Sequence, residues 1–184
     1  QQVDTAACFT DWATTMHDLG ARDHHVAELT TLYRCPAAVT ELARHVLDPG
    51  HPLPALEPRE PVGFLRAANE CHLLARLTEA LRMFTTAAPQ ASVAVITRAP
   101  ESAERLARLL GRGADVRLAL NGEFRFGAGV SVTAVQEVKG LEFDHVIIPD
   151  GSSSVYPDSG EARRALYVAI TRAVHHVLFA TTGA

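Results

Sequence analysis

Two stretches of this chain decide how it is read: EARRALYVAITRA at positions 161–173 and VQEVKGLEFDHVIIPD at 135–150. Each sets charged residues against apolar runs long enough to be buried, a combination kept for function more often than for folding. The run at 145–149 is strand-like. The other stretch has helical periodicity, with Leu166, Ile170, Ala173 and Val177 at i, i+4, i+7 and i+11 on one stripe that can cover a sheet. At roughly 100° per residue, Arg172 lies opposite Ile170, on the side of Glu161, Ala165 and Val168. An arginine among small residues predicts that this second side faces a partner or ligand.

Around these stretches the chain alternates between helical and strand-like segments. Val39, Leu42, Ala43, Val46 and Leu47 form an apolar helical stripe after Pro36, a residue suited to the first helical position. The segment 71–85 reads as a helix with Leu74, Leu77, Leu81 and Phe84 inward. Another helix opens at Pro100 and Glu101, packs through Leu106, Leu109 and Leu110, and ends at the glycines 111–113. Strands are expected at 29–33, 62–67, 91–97, 116–120, 130–135, 145–149 and 177–181. Five prolines make 48–61 an extended connector. A short helix around Phe9, Trp12, Ala13 and Met16 stops at Gly20, and Phe9 and Trp12 read as core or interface. Helices alternating with short, nearly all-apolar strands predict a three-layer α/β/α sandwich with a mainly parallel sheet.

In such sheets ligands bind beyond the carboxyl ends of the strands. That rule singles out Tyr33 and Arg34, then Thr97 and Arg98, then residues 136–142, three charged loops expected at one edge. Arg34 sits just before a helix N-terminus, where the dipole disfavours a cation and favours an anion, so a phosphate between them would resolve the conflict. Arg105, Arg108 and Arg112 read as a solvated helix face. The adjacent pairs His24–His25 and His175–His176 should diverge rather than share a metal.

Composition sets bounds. With 184 residues, 47% hydrophobic and 21% charged, the chain is an ordinary globular domain. A net charge of −4 excludes a broad basic footprint, so nucleic-acid contact must be local or come from another domain. The three cysteines, Cys8, Cys35 and Cys71, have no ligand spacing and read as free thiols in a reducing compartment. No membrane-spanning run or signal peptide is apparent, which predicts a cytoplasmic protein. The absence of a leading Met suggests that Gln1 lies inside a longer protein.

Taken together, YRCP at 33–36, VKGLEFDHVI at 138–147 and RALYVAITRA at 164–173 resemble, in order, the C-terminal motifs of superfamily 1 helicases of the UvrD/Rep class. The resemblance implies a second RecA-like motor domain at 29–184, with 1–28 continuing from a first motor domain not in this sequence. It implies that Tyr33 stacks on adenine, that Arg34 and Arg172 reach the γ-phosphate, Arg172 as an arginine finger, and that Glu142, with Gly140 in the same motif, serves the ribose side. Arg98, Gln136 and Lys139 are the implied single-stranded DNA contacts. Arg172 is expected near Arg34, exposed and without a carboxylate partner of its own.

No GxxxxGK[ST] occurs, and no acidic pair ends an early strand. ATP and Mg²⁺ would therefore be held mainly by the first domain, and the chain alone should not hydrolyse ATP. Gln1 and Gln2 are read as a remnant of the preceding motif. Two departures stand out: Gln136 replaces a frequent histidine, and the large insertion that UvrD and Rep carry between Arg34 and Lys139 is missing. The compactness is similar to that of HelD-type ATPases, which gives the alternative of a factor that remodels RNA polymerase.

Overall fold

Six strands form one sheet in the order β1-β6-β5-β2-β4-β3, and every neighbouring pair is parallel. They are β1 (Val62–Ala67), β2 (Ser92–Thr97), β3 (Val116–Leu118), β4 (Gly129–Ala134), β5 (Phe143–Ile148) and β6 (Ala173–Thr182). The helices are α1 (Trp12–Asp18), α2 (Ala37–Leu47), α3 (Glu70–Ala87), α4 (Pro100–Leu110) and α5 (Gly160–Ile170), with a 3-10 turn at Val135–Val138. This computed structural model describes residues 11–21, 25, 35–55, 61–125 and 127–182. The strand expected at 29–33 and the residues Gln1, Gln2, Cys8, Phe9, Tyr33 and Arg34 lie outside them.

Alternation along each strand sends side chains to two cores. On one face Ala94, Ile96, Val146, Ile148 and Val177 join Val39, Leu42, Ala43, Ala165, Val168 and Ile170 from α2 and α5. On the other, Val93, Val95, Val130, Val132 and Ile147 join Leu77, Leu81, Ala103 and Leu110 from α3 and α4. Coverage on both faces explains why the central strands are almost wholly apolar. Local signals set the helix starts: Asn69 Oδ1 accepts from His72 N at 2.9 Å before α3, Pro100 opens α4, and Ser159 Oγ accepts from Ala162 N at 3.2 Å before α5. Helix α4 follows β2 on one face and α5 follows β5 on the other, so the sheet reverses direction between these two neighbouring strands. Among the described residues, no helix is long and apolar enough to cross a membrane.

Three expectations are corrected. The helix read over 161–173 ends at Ile170, with Thr171 as its cap, and the strand expected at 177–181 already begins at Ala173. On its second side Ala165 and Val168 are buried in the core that α5 shares with α2 rather than open to a partner, while Glu161 is exposed. Trp12, read as core or interface, is not in the core: it is 56% exposed on α1, none of whose residues is buried.

Candidate functional site

Because the strands are parallel, the sheet has one carboxyl edge and one amino edge, and strand register assigns each candidate to one of them. Ala134 pairs with Thr97 at the carboxyl end of β2, whereas Val93, near the amino end of β2, pairs with His145. Residues 135–142 therefore climb across one face of the sheet, passing β2 on the way from β4 to β5. Gln136 starts this crossing at the carboxyl edge. Lys139, Gly140 and Glu142 finish it at the amino edge, where Phe143 N donates to Arg172 O at 2.9 Å. The expected clustering of charged loops at one edge is thus corrected to two groups, Arg98 and Gln136 on one edge and Lys139, Gly140, Glu142 and Arg172 on the other.

The amino-edge group is built around Arg172. Its Nε donates to Val168 O at 3.1 Å, Nη1 to Leu141 O at 3.1 Å and Nη2 to Thr171 Oγ1 at 3.2 Å. The guanidinium therefore joins the C-terminal end of α5, where carbonyls and the helix dipole favour a cation, to the loop bearing Gly140 and Glu142. It is half-buried rather than exposed as expected, and the bonds just given go to two carbonyls and a hydroxyl. Gly140 has φ +79°, and a Cβ there would meet nothing within 4 Å, so the loop turns tightly beside open space. Glu142, Lys139 and Gly140 are exposed. The thiol of Cys35, the residue after Arg34 in sequence, donates to Thr171 O at 3.4 Å.

Residues 129–180 match the UvrD-like helicase C-terminal domain. The match begins at β4, takes in the crossing segment, and runs through α5 into β6, so both stretches that make the amino-edge group lie inside it. The fold is shared with the C-terminal domain of a possible DNA helicase from Lactobacillus plantarum WCFS1, at 23% identity and a TM-score of 0.68 over 84% of this chain and 89% of that one. A looser likeness, with a TM-score of 0.44 and 16% identity, covers 61% of this chain and 25% of a chain of the Pyrococcus furiosus Hef helicase domain, and carries no weight. No curated protein is similar to this chain in sequence. The similarity is thus to a helicase-type motor domain of the UvrD-like kind.

At the carboxyl edge, Arg98 turns inward to its own domain. Its Nη1 donates to Val155 O at 2.5 Å, its Nη2 reaches Glu161 Oε1 at 3.3 Å, and the guanidinium lies 5.9 Å from the Tyr156 ring centroid. It thereby ties the end of β2 to the loop before α5. Tyr156 is buried beneath it, and desolvation pushes its hydroxyl pKa up.

Sequence reasoning overlooked several residues that shape these edges. Thr171 is one: its position between VAI and Arg172 was the available signal, a hydroxyl in a run otherwise apolar. Asp144 is another. Its Oδ2 accepts from Ser92 N at 2.7 Å and from Ser92 Oγ at 2.8 Å, and its Oδ1 lies 3.5 Å from His175 Nε2. The Ser92 N–H is the main reason its carboxyl is held below the ordinary range. His175 and His176 diverge, His175 toward Asp144 and His176 against Phe84 and His145.

Proposed function

We propose that this chain is the second motor domain of an ATP-dependent DNA helicase or translocase, with the nucleotide at the amino edge and single-stranded DNA along the carboxyl edge. The observation that carries this reading is the convergence of Arg172 and the loop at 139–142, which are thirty residues apart in sequence and joined by the Arg172 Nη1–Leu141 O bond of 3.1 Å. The donor set suits a nucleotide: a guanidinium for phosphate oxygens, an exposed carboxylate at Glu142 for ribose hydroxyls, and a positive-φ glycine that leaves room for close approach. Tyr33 and Arg34 would add adenine stacking and a second phosphate contact. In this reading Mg²⁺ would be held by the first motor domain. Bound ATP would supply the phosphoryl chemistry, while the role of Arg172 would be to orient and neutralise oxygens already in place.

Arg98 and Gln136 are the proposed DNA contacts on the carboxyl edge; Lys139, expected to join them, lies with the nucleotide loop at the amino edge and is left out of that track. The crossing of residues 135–142 gives Gln136 and Glu142 a common segment while keeping them at opposite edges. A second reading, a HelD-like ATPase that remodels RNA polymerase, draws on compactness. Regular elements and short connections occupy the described part of residues 35–139, leaving no place there for the large UvrD/Rep insertion. An upstream coiled-coil arm would favour that reading.

The test is Arg172→Ala in the full-length protein. Turnover should be abolished, with a loss of about 10³-fold or more for an arginine finger, while ATP binding stays within a few fold. ATPase activity equal to that of the wild type would remove the assignment.

A further inference from the structure

Thr171 is 5% exposed at the end of an apolar run, a position where valine would pack as well and would leave no hydroxyl to satisfy. The hydroxyl has two roles. It donates toward Tyr167 O at 2.9 Å, with Val168 O also near at 3.2 Å, and it accepts from Arg172 Nη2 at 3.2 Å. One proton is directed into the helix end, so a lone pair is left facing the guanidinium. Nε and Nη1 are fixed by Val168 O and Leu141 O, so the Thr171 contact is a third point defining the plane. The residue is clamped at its other end too, since its carbonyl accepts from the buried Cys35 thiol.

We propose that Thr171 is a positioning residue for Arg172, setting the orientation of the guanidinium at the amino edge before any nucleotide arrives. The kinetic part of this inference rests on the proposed role of Arg172, but the positioning itself does not. Replacing the hydroxyl by methyl in Thr171→Val removes the acceptor at nearly constant volume and releases one side of the plane. Thr171→Ser keeps the acceptor.

Two measurements test this. In the 184-residue chain, solvent exchange of the Arg172 side-chain N–H groups, followed by nitrogen-resolved NMR, should accelerate by about tenfold in Thr171→Val and stay within about twofold in Thr171→Ser. Unchanged exchange in Thr171→Val would overturn the positioning role whatever the kinetics show. If Thr171→Val does not fold, Thr171→Ala replaces it in both measurements.

In the full-length protein, Thr171→Val should lower kcat for ATP by about tenfold with KM within about threefold, because orientation matters most as charge develops. The same substitution made on top of Arg172→Ala, read on the residual rate in single-turnover assays, should cost nothing further, since its effect travels through that side chain. A loss that persists in the Arg172→Ala background would mark Thr171 as merely structural and sink the inference. If Arg172→Ala itself leaves turnover intact while exchange responds as expected, the positioning stands and the arginine-finger reading fails instead.

Discussion

His145 and His176 show what burial does to single side chains in this domain. His145 stacks on Phe84 at 4.5 Å between centroids, His176 tilts against the same ring at 5.5 Å, and the Nδ1 atom of each is buried without a hydrogen-bond partner among the described residues. Desolvation holds both imidazoles below the ordinary 6.5. Asp144 partly offsets this at His145, while the charges of His175 on His145, and of His145 on His176, add to it. As pH falls through 6.5 the unfolded chain takes up protons that the folded chain resists, so stability complete above that value is progressively lost below it. Asp144, depressed from 3.8, adds a second loss only in the more acidic range. The thermal midpoint should therefore fall from pH 7 to pH 5, and His176→Phe should remove roughly half of that slope. A midpoint flat over this interval in the wild type would contradict the burial argument.

Among the elements, α5 is where reading and structure part company most usefully. Positions 166, 170, 173 and 177 were consistent with one helical stripe, yet the last two lie in a strand. The ambiguity has a physical source: residues four apart share a face both in a helix of period 3.6 and in a strand of period 2, so Ala173 and Val177 point inward either way. Periodicity alone cannot mark where the helix stops, so the strand expected at 177–181 was started four residues too late. The strands themselves were readable because burial on both faces leaves an unbroken apolar signal. The packing partner of α5 was not readable, since small residues opposite an apolar stripe suit an absent ligand as well as a close helix. In the structure α5 packs against α2, and Ala165 is buried in the core they share. Ala165→Leu should accordingly destabilise the domain by about 1–3 kcal/mol through overpacking, measured by urea unfolding. A change under about 0.5 kcal/mol would mean that the helices separate without cost.

For the molecule as a whole, the order of motifs was legible but their placement was not. Gln136 and Glu142 are six residues apart, and nothing in KGLEF or its neighbours announces that the sheet's full height separates them. Strand order decides it: β4 and β5 flank β2 in parallel, so their connection must return across the face. Charge and motif content together predict how the chain behaves alone. It carries −4 net charge and no phosphate-cradling glycine loop, so the 184-residue chain should show no ATPase activity above background. Steady turnover by the purified chain, sensitive to Arg172→Ala, would overturn the two-domain reading.

The crossing segment also obeys a length constraint. From Ala134 to Phe143 the backbone takes nine steps, and it must climb about 20 Å along the strands and move sideways about 10 Å past β2. That requires about 2.5 Å per step. An α-helix, rising about 1.5 Å per residue, would stop near 13 Å, so only a single 3-10 turn at about 2 Å per residue with extended flanks can make the journey. The segment is a strut with little play in its length. Removing one residue would pull Gly140 back from its edge, and adding one would let the strut buckle. A change in length at either position would be felt at both edges before it was felt in the core.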